Sequence, residues 1–112
     1  MKPQGTETYE NISYGYAAYT CKPVYHRCRL VRRKSGGSRI FLDEDNRPRK
    51  VTAYYAATFG NGFVRIDPKT GSLADRTIDT YTHIALLKME IARLKKLQIY
   101  LEKLAKAELE GG

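Results

Sequence analysis

The chain has 112 residues, a length that suits one domain with a modest hydrophobic core. Hydrophobic residues make up 42% of it and charged residues 29%, which is ordinary for a globular protein, and no stretch is apolar enough to cross a membrane. Lys2 is followed by polar residues, so we expect no signal peptide and an intracellular protein, either cytoplasmic or associated with the nucleoid.

The positive charge of the chain is concentrated in one segment. The formal net charge is +8, and residues 21–50 hold ten Lys and Arg against three Asp and Glu, a local excess of +7. A basic patch of this kind is typical of proteins that bind a polyanion. The alternative is a charge that only keeps a small domain soluble.

Residues 11–78 predict an antiparallel sheet, preceded by a flexible tail at residues 1–10. Turn residues separate short stretches in which apolar and polar residues alternate, as in a meander. The predicted strands are residues 11–20, 23–34, 39–42, 49–59 and 63–66, with a last strand at 73–78. Gly15 marks a weak point or a bulge in the first strand. A helix that already starts at Ser72 is the alternative to the last strand.

Alternation also predicts which side chains of two strands face the core. In the second strand the expected core side chains are Val24, His26, Cys28 and Leu30. The opposite, basic face carries Tyr25, Arg27, Arg29, Val31 and Arg33. In the strand 49–59 one face carries Val51, Ala53, Tyr55, Ala57 and Phe59, and the other carries Lys50, Thr52, Tyr54 and Thr58. Tyr54 is therefore expected to point away from the core.

Residues 79–110 predict one long amphipathic helix, capped by Asp79 or Thr80 and ended by Gly111 and Gly112. Its second half carries a coiled-coil-like seam formed by Leu94, Leu97, Leu101 and Leu104. A helix of about 30 residues is ~45 Å long, which exceeds the ~30–35 Å of a domain this size. Either its first half packs on the sheet while the seam projects, or the helix breaks near Gln98. A projecting seam needs a partner, most simply a second copy; a helix folded back on its own sheet needs none.

The candidate binding residues lie on the hairpin 23–42 and just after it. They are Arg27, Arg29, Arg32, Arg33, Lys34, Arg39, Arg47, Arg49 and Lys50, with Tyr25 and Tyr54 as aromatic partners. Most are Arg, whose planar fork pairs with phosphate, and tyrosine rings stack on bases. The set matches no named nucleic-acid-binding motif.

The sequence gives weaker support for a metal site or a catalytic site than for a basic binding surface. Cys21, His26, Cys28 and His83 have the ligand count of a structural zinc site, but not its spacing. Asp43, Glu44 and Asp45 share one turn, whereas catalytic carboxylates usually come from separate elements, so we interpret them as a solvated turn. No nucleophile set and no glycine-rich phosphate loop is present. We therefore expect no metal, no cofactor and no enzymatic activity.

Together these patterns predict an α+β fold, an antiparallel β-meander of five or six strands followed by one long C-terminal amphipathic helix. The leading hypothesis is a small non-enzymatic nucleic-acid-binding protein, DNA or RNA, that contacts phosphates through the Arg-rich hairpin and forms a dimer through the seam. The alternative is an accessory protein, of the kind found in viruses and mobile elements, that binds or inhibits another protein. Its contact would be the seam or the Tyr-rich sheet, with the Arg patch facing an acidic partner surface. Neither hypothesis involves a membrane.

Overall fold

The computed structural model describes residues 8–20, 24–58, 62–73 and 78–111, grouped into two compact units, residues 1–78 and 79–112. The first unit holds the strands and the second holds the helix. The strands are β1 (Tyr9–Ala18), β2 (Tyr25–Arg33), β3 (Arg39–Asp43), β4 (Pro48–Arg49), β5 (Ala53–Thr58) and β6 (Gly62–Ile66). The helix is α1 (Thr80–Gly111). The predicted α+β fold, an antiparallel sheet followed by one long helix, is confirmed.

All strands belong to one antiparallel sheet with the order β4-β3-β2-β1-β5-β6. The first four strands pair with their neighbours in the chain, while β5 pairs with β1 and then with β6. Tyr9 and Glu10, assigned to the tail by sequence, lie in β1, and residues 1–7 lie outside the described residues. Leu73, at the start of the predicted last strand, forms an isolated bridge with Ile66, and residues 74–77 lie outside the description.

The short link between β4 and β5 shows that the sheet is curled. These strands lie four positions apart in the sheet order, and only residues 50–52 connect them. Four strand spacings across a flat sheet amount to about 19 Å, whereas a fully extended chain from residue 49 to residue 53 reaches about 14 Å. The sheet therefore bends until β3 and β5 meet across its concave face. The ring centroids of Phe41 in β3 and Tyr54 in β5 lie 4.9 Å apart.

The concave face encloses the core of the first unit. Its buried residues are Ala17, Cys28, Leu30, Phe41, Tyr54, Ala56 and Ile66. The Tyr54 hydroxyl donates a hydrogen bond to the Ser13 carbonyl oxygen at 2.9 Å, so its polar end is satisfied inside the core. Cys28 and Leu30 were predicted on the core face, and they lie there.

Two residues expected on the outer face are buried. Tyr54 has no exposed surface, because the curl turns its face of β5 inward, and Val31 in β2 has none either. The face opposite the core cluster also holds buried side chains, namely Tyr16, Val31, Leu42, Tyr55 and Phe63. In a strand that is buried on both faces, apolar and polar residues do not alternate, so the sequence cannot show which face points to the core. This explains the wrong predictions for both Tyr54 and Val31.

Gly15 has a different role from the predicted one. The irregularity in the β1–β2 register lies between Asn11 and Ser13, so the bulge falls at Ile12 and not at Gly15. A Cβ added to Gly15 would lie 2.2 Å from the backbone oxygen of Tyr55 in β5. Glycine is thus required at this position because two backbones approach each other closely.

The helix α1 starts at its predicted cap. The Asp79 carboxylate accepts a hydrogen bond from the Thr82 N–H at 2.9 Å and one from the Thr82 hydroxyl at 2.7 Å. These bonds hold the pKa of Asp79 below its usual range. The helix runs without interruption through Gln98, so the predicted alternative of a break there is wrong. Among the described residues, no helix combines the length and the apolar character needed to cross a membrane.

One face of α1 changes from buried to exposed along its length. Leu86 is fully buried, and Leu97 and Leu104 follow it after about three and five full turns, so all three lie on one face. The predicted seam of Leu94, Leu97, Leu101 and Leu104 is between 41% and 51% exposed. Packing of α1 on the sheet and dimerisation through the seam stay predictions.

Candidate functional site

The β2–β3 hairpin that carries most of the candidate residues is an integral part of the sheet. β2 pairs with β1 on one side and with β3 on the other, so the hairpin is not an isolated two-stranded ribbon. The backbone of β2 is paired on both sides, whereas β3 is paired with β4 only at Phe41 and Leu42. A ligand can therefore meet the side chains of the hairpin, the turn at residues 34–38 and the outer edge of β3 at Arg39 and Ile40.

The structure divides the nine basic candidates into two groups at opposite ends of β3. The turn cluster, at the β2–β3 turn, consists of Arg32, Arg33, Lys34 and Arg39. The loop cluster, near the β3–β4 turn, consists of Arg27, Arg29, Arg47, Arg49 and Lys50. Arg39 and Asp43 mark the two ends of β3, and the four residue steps between them measure about 13 Å. The nine cations thus do not form the single patch that the sequence indicated.

Asp43 organises one side of the loop cluster. Its carboxylate accepts hydrogen bonds from the N–H groups of Asp45 and Arg47, each at 2.9 Å, and from Nε of Arg49 at 2.7 Å. The Arg47 N–H and the Arg49 guanidinium hold the pKa of Asp43 below its usual range. Arg49 also lies over the ring of Tyr19, 5.2 Å from its centroid. Arg49 is therefore engaged within the protein, and its charge is offset.

The other side of the loop cluster holds its cations in fixed orientations. The Arg29 guanidinium donates to Oδ1 of Asn11 at 2.9 Å and to Oδ1 of Asn46 at 2.5 Å. Asn46 adopts a left-handed backbone conformation, with φ of 62°, which asparagine tolerates better than most residues. Arg27 lies over the ring of Tyr16, with its guanidinium carbon 5.9 Å from the centroid. Neither guanidinium is ion-paired among the described residues, so both keep their positive charge available.

The turn cluster is more open. Arg32 forms an ion pair with Glu10 at 2.8 Å, and this arginine lowers the pKa of the glutamate. Arg33 and Lys34 are exposed, and neither side chain has an ion pair within the described parts of the chain. These residues line a shallow concave surface together with Gly36 and Gly37.

The two turn glycines leave this surface without side chains. Gly36 and Gly37 have φ of 101° and 121°, values that side-chain-bearing residues rarely adopt. A Cβ added to either would meet no atom within 4 Å, so the space above them is empty. A ligand's backbone can approach the turn closely between the basic side chains.

The tyrosines are placed differently from the prediction. Tyr54 is wrong as a stacking residue, because it is buried in the core. Tyr25 is half-buried, and its ring meets Tyr55 edge to face with centroids 5.5 Å apart. The sequence analysis missed Tyr14, which is 50% exposed and lies directly opposite Arg29 in the β1–β2 pairing. Only the strand register reveals that neighbour, because it depends on the bulge at Ile12.

Among the residues considered for zinc, Cys28 is buried in the core, His26 is half-buried in β2 and His83 is half-buried in α1. Burial raises the pKa of the Cys28 thiol to about 12, so the thiol stays protonated and unreactive. His26 stacks on Tyr19 with ring centroids 4.2 Å apart. Cys21 lies outside the described residues. Within the residues that the structure describes, no three His, Cys, Asp or Glu side chains are arranged to hold a metal ion.

Similarity to other proteins does not identify a ligand for these clusters. Comparison of the chain with protein-family models, with curated proteins and with solved structures finds no significant match. Any statement about function therefore depends on the geometry and the charge of the site itself.

Proposed function

We propose that this protein is a small non-enzymatic nucleic-acid-binding protein that contacts phosphates through the turn cluster. The observation that carries the proposal is the pair Arg33 and Lys34. Both are exposed and free of ion pairs among the described residues, and they lie just before an open glycine turn within the most basic segment of the chain.

The chemistry of the turn cluster suits a phosphate backbone. The planar guanidinium of Arg33 can donate two parallel hydrogen bonds to one phosphate, and Lys34 adds a compact point charge. Glu10 offsets Arg32, so Arg33, Lys34 and Arg39 supply most of the uncompensated charge here. Contacts of this type carry no sequence information, so we expect weak sequence selectivity and strong dependence on salt.

A salt titration of binding, followed by fluorescence anisotropy on labelled duplex and single-stranded oligonucleotides, tests the proposal. The variant is the double substitution Arg33→Gln and Lys34→Gln. Each lost phosphate contact reduces the slope of log K against log salt by about 0.9 on duplex DNA, so we expect a slope reduced by about 1.8. Affinity at low salt should fall as well.

A matched control removes two charges from another exposed surface. Lys103→Gln with Lys106→Gln makes the same change in net charge on α1, where both residues are exposed. The control should keep the wild-type slope. Absence of binding by the wild type at low salt, or an equal loss of slope in both double variants, would contradict a specific role of the turn cluster.

The second candidate function is contact with another protein through α1, and one observation favours it. The seam of Leu94, Leu97, Leu101 and Leu104 continues the face on which Leu86 is buried, yet it is about half exposed. Leu94, Leu97 and Leu101 also line a mainly apolar depression with Ala105. We take a second copy of the chain as the occupant, because a shared seam of two heptads needs no other component.

A further inference from the structure

A second concave site lies beside the loop cluster, at the opposite end of β3 from the turn cluster. Its volume is about 200 Å³, and it is lined by Tyr14, Arg27, Cys28, Arg29, Asp43, Glu44 and Asn46. Of its two carboxylates, Asp43 is already offset by Arg49. Pockets that hold drug-sized ligands measure roughly 300–1,000 Å³. The space is therefore smaller than a drug-sized ligand requires and has the scale of a single ring.

Tyr14 offers that ring a flat surface. Its side chain is 50% exposed, whereas Tyr16, its neighbour on the same face of β1, is only 3% exposed. Stacking on an aromatic ring needs an accessible face, and every nucleobase has a π-face that can use it. Of these two tyrosines, Tyr14 is the one that can receive a base.

The two arginines beside Tyr14 supply positive charge at defined positions. Arg29 lies directly opposite Tyr14, and its guanidinium is held by Asn11 and Asn46. Arg27, two residues away on the same face of β2, is about 7 Å distant along the strand and lies over Tyr16. Because these orientations already exist without ligand, a phosphate that meets them costs little side-chain ordering.

We infer that this site binds one unstacked nucleotide of a single strand, with its base on Tyr14 and its phosphate facing Arg27 and Arg29. The inference rests on the proposed function and specifies the kind of nucleic acid. A duplex keeps its bases stacked and paired, so Tyr14 contributes only to single-strand binding.

The test compares Tyr14→Ala, Tyr14→Phe and Tyr81→Ala in binding to one single-stranded oligonucleotide and to its duplex. Tyr81 is 86% exposed on α1, so Tyr81→Ala is a matched loss of a surface ring. Loss of one base–aromatic stack weakens binding by about 5- to 150-fold. We expect this loss for Tyr14→Ala on the single strand alone, with Tyr14→Phe and Tyr81→Ala within about twofold of wild type. Circular dichroism checks that each variant is folded.

The readouts separate this inference from the proposed function. Unchanged single-strand affinity in Tyr14→Ala, with weakened binding in the Arg33 and Lys34 variant, overturns the base site and leaves the phosphate-binding function in place. An equal loss on duplex and single strand also overturns it. Adenosine monophosphate is the probe for a free nucleotide as ligand. If it binds in a Tyr14-dependent way while the oligonucleotide does not bind, the single-strand ligand is wrong.

Discussion

At the scale of single residues, the fold depends on a few positions where backbones or charges approach each other closely. Gly15 is one of them, because its Cα faces the backbone oxygen of Tyr55 in the neighbouring strand β5. Asp43 is another, because one carboxylate satisfies two backbone N–H groups and the guanidinium of Arg49. The sequence marked Gly15 as special without revealing its partner. Its interpretation of Asp43 as part of a solvated turn is wrong, because Asp43 is buried at the end of β3.

We predict that Gly15→Ala destabilises the protein. The added methyl group would lie 2.2 Å from a backbone oxygen, so β1 and β5 must move apart. Overpacking of this kind costs about 1–3 kcal/mol. Urea denaturation followed by circular dichroism measures the change. Gly36→Ala is a control for steric contact, since a Cβ there meets no atom within 4 Å and only the positive φ opposes it. A Gly15→Ala protein as stable as wild type would contradict the predicted clash.

Asp43 should make stability depend on pH in the acidic range. Its pKa is lower in the folded protein than the ordinary value, so its contribution is fully present above about pH 4. The contribution is lost as the pH falls through the folded-state pKa, because the unfolded chain then binds a proton that the folded chain does not. Urea midpoints at about pH 7 and about pH 3 measure it. Between these two pH values, the urea midpoint of Asp43→Asn should fall less than the midpoint of wild type or of the neighbouring Asp45→Asn variant. An equal drop in all three would contradict this role of Asp43.

At the scale of elements, α1 shows how far a periodic pattern can be read. Seven-residue spacing, the Asp79 cap and the absence of proline predicted a single helix, and the structure has it from Thr80 to Gly111. These signals are local, because they depend on residues within a few turns of each other. The strands are also local in origin, but which face of each is buried depends on the rest of the sheet, and for Tyr54 and Val31 the local pattern failed.

The seam on α1 predicts a dimer that two polar substitutions dissociate. Burying a leucine completely is worth about 1.5–3 kcal/mol, so the half-exposed seam leucines gain about 1 kcal/mol each in a dimer. The double substitution Leu97→Gln with Leu101→Gln replaces half of the seam leucines in each chain, so it removes about half of the total free energy gained on dimerisation. Sedimentation equilibrium should give a dimer mass for wild type and a monomer mass for the double variant at the same concentration.

Ile99→Gln is the control for the seam, because Ile99 is 54% exposed but lies on a different face of α1. This variant should keep the wild-type mass. A wild-type protein that is monomeric at high concentration, or a double variant that stays dimeric, would exclude the seam as the contact between copies.

At the scale of the whole molecule, charge is distributed by the topology of the sheet. The nine basic candidates are close in sequence, yet β3 separates them into a turn cluster and a loop cluster. Acidic and amide side chains engage Arg29 and Arg49 in the loop cluster, while Arg33 and Lys34 have no ion pair among the described residues. Net charge therefore predicts a polyanionic partner, whereas the proposal of Arg33 and Lys34 as binding residues depends on the contacts.

The sequence by itself determined the number of strands to within one, the long helix with its cap, the core positions of Cys28 and Leu30 in β2 and the segment that carries the positive charge. Each of these depends on local periodicity or composition, which a short stretch of chain contains completely. Only the tertiary structure decided that β5 pairs with β1, that the sheet curls and buries Tyr54, and that Tyr14 lies beside Arg29. Strand order, curl and register arise from pairings between residues far apart in the chain. Many such pairings satisfy the same local pattern, and packing of the whole sheet selects one of them.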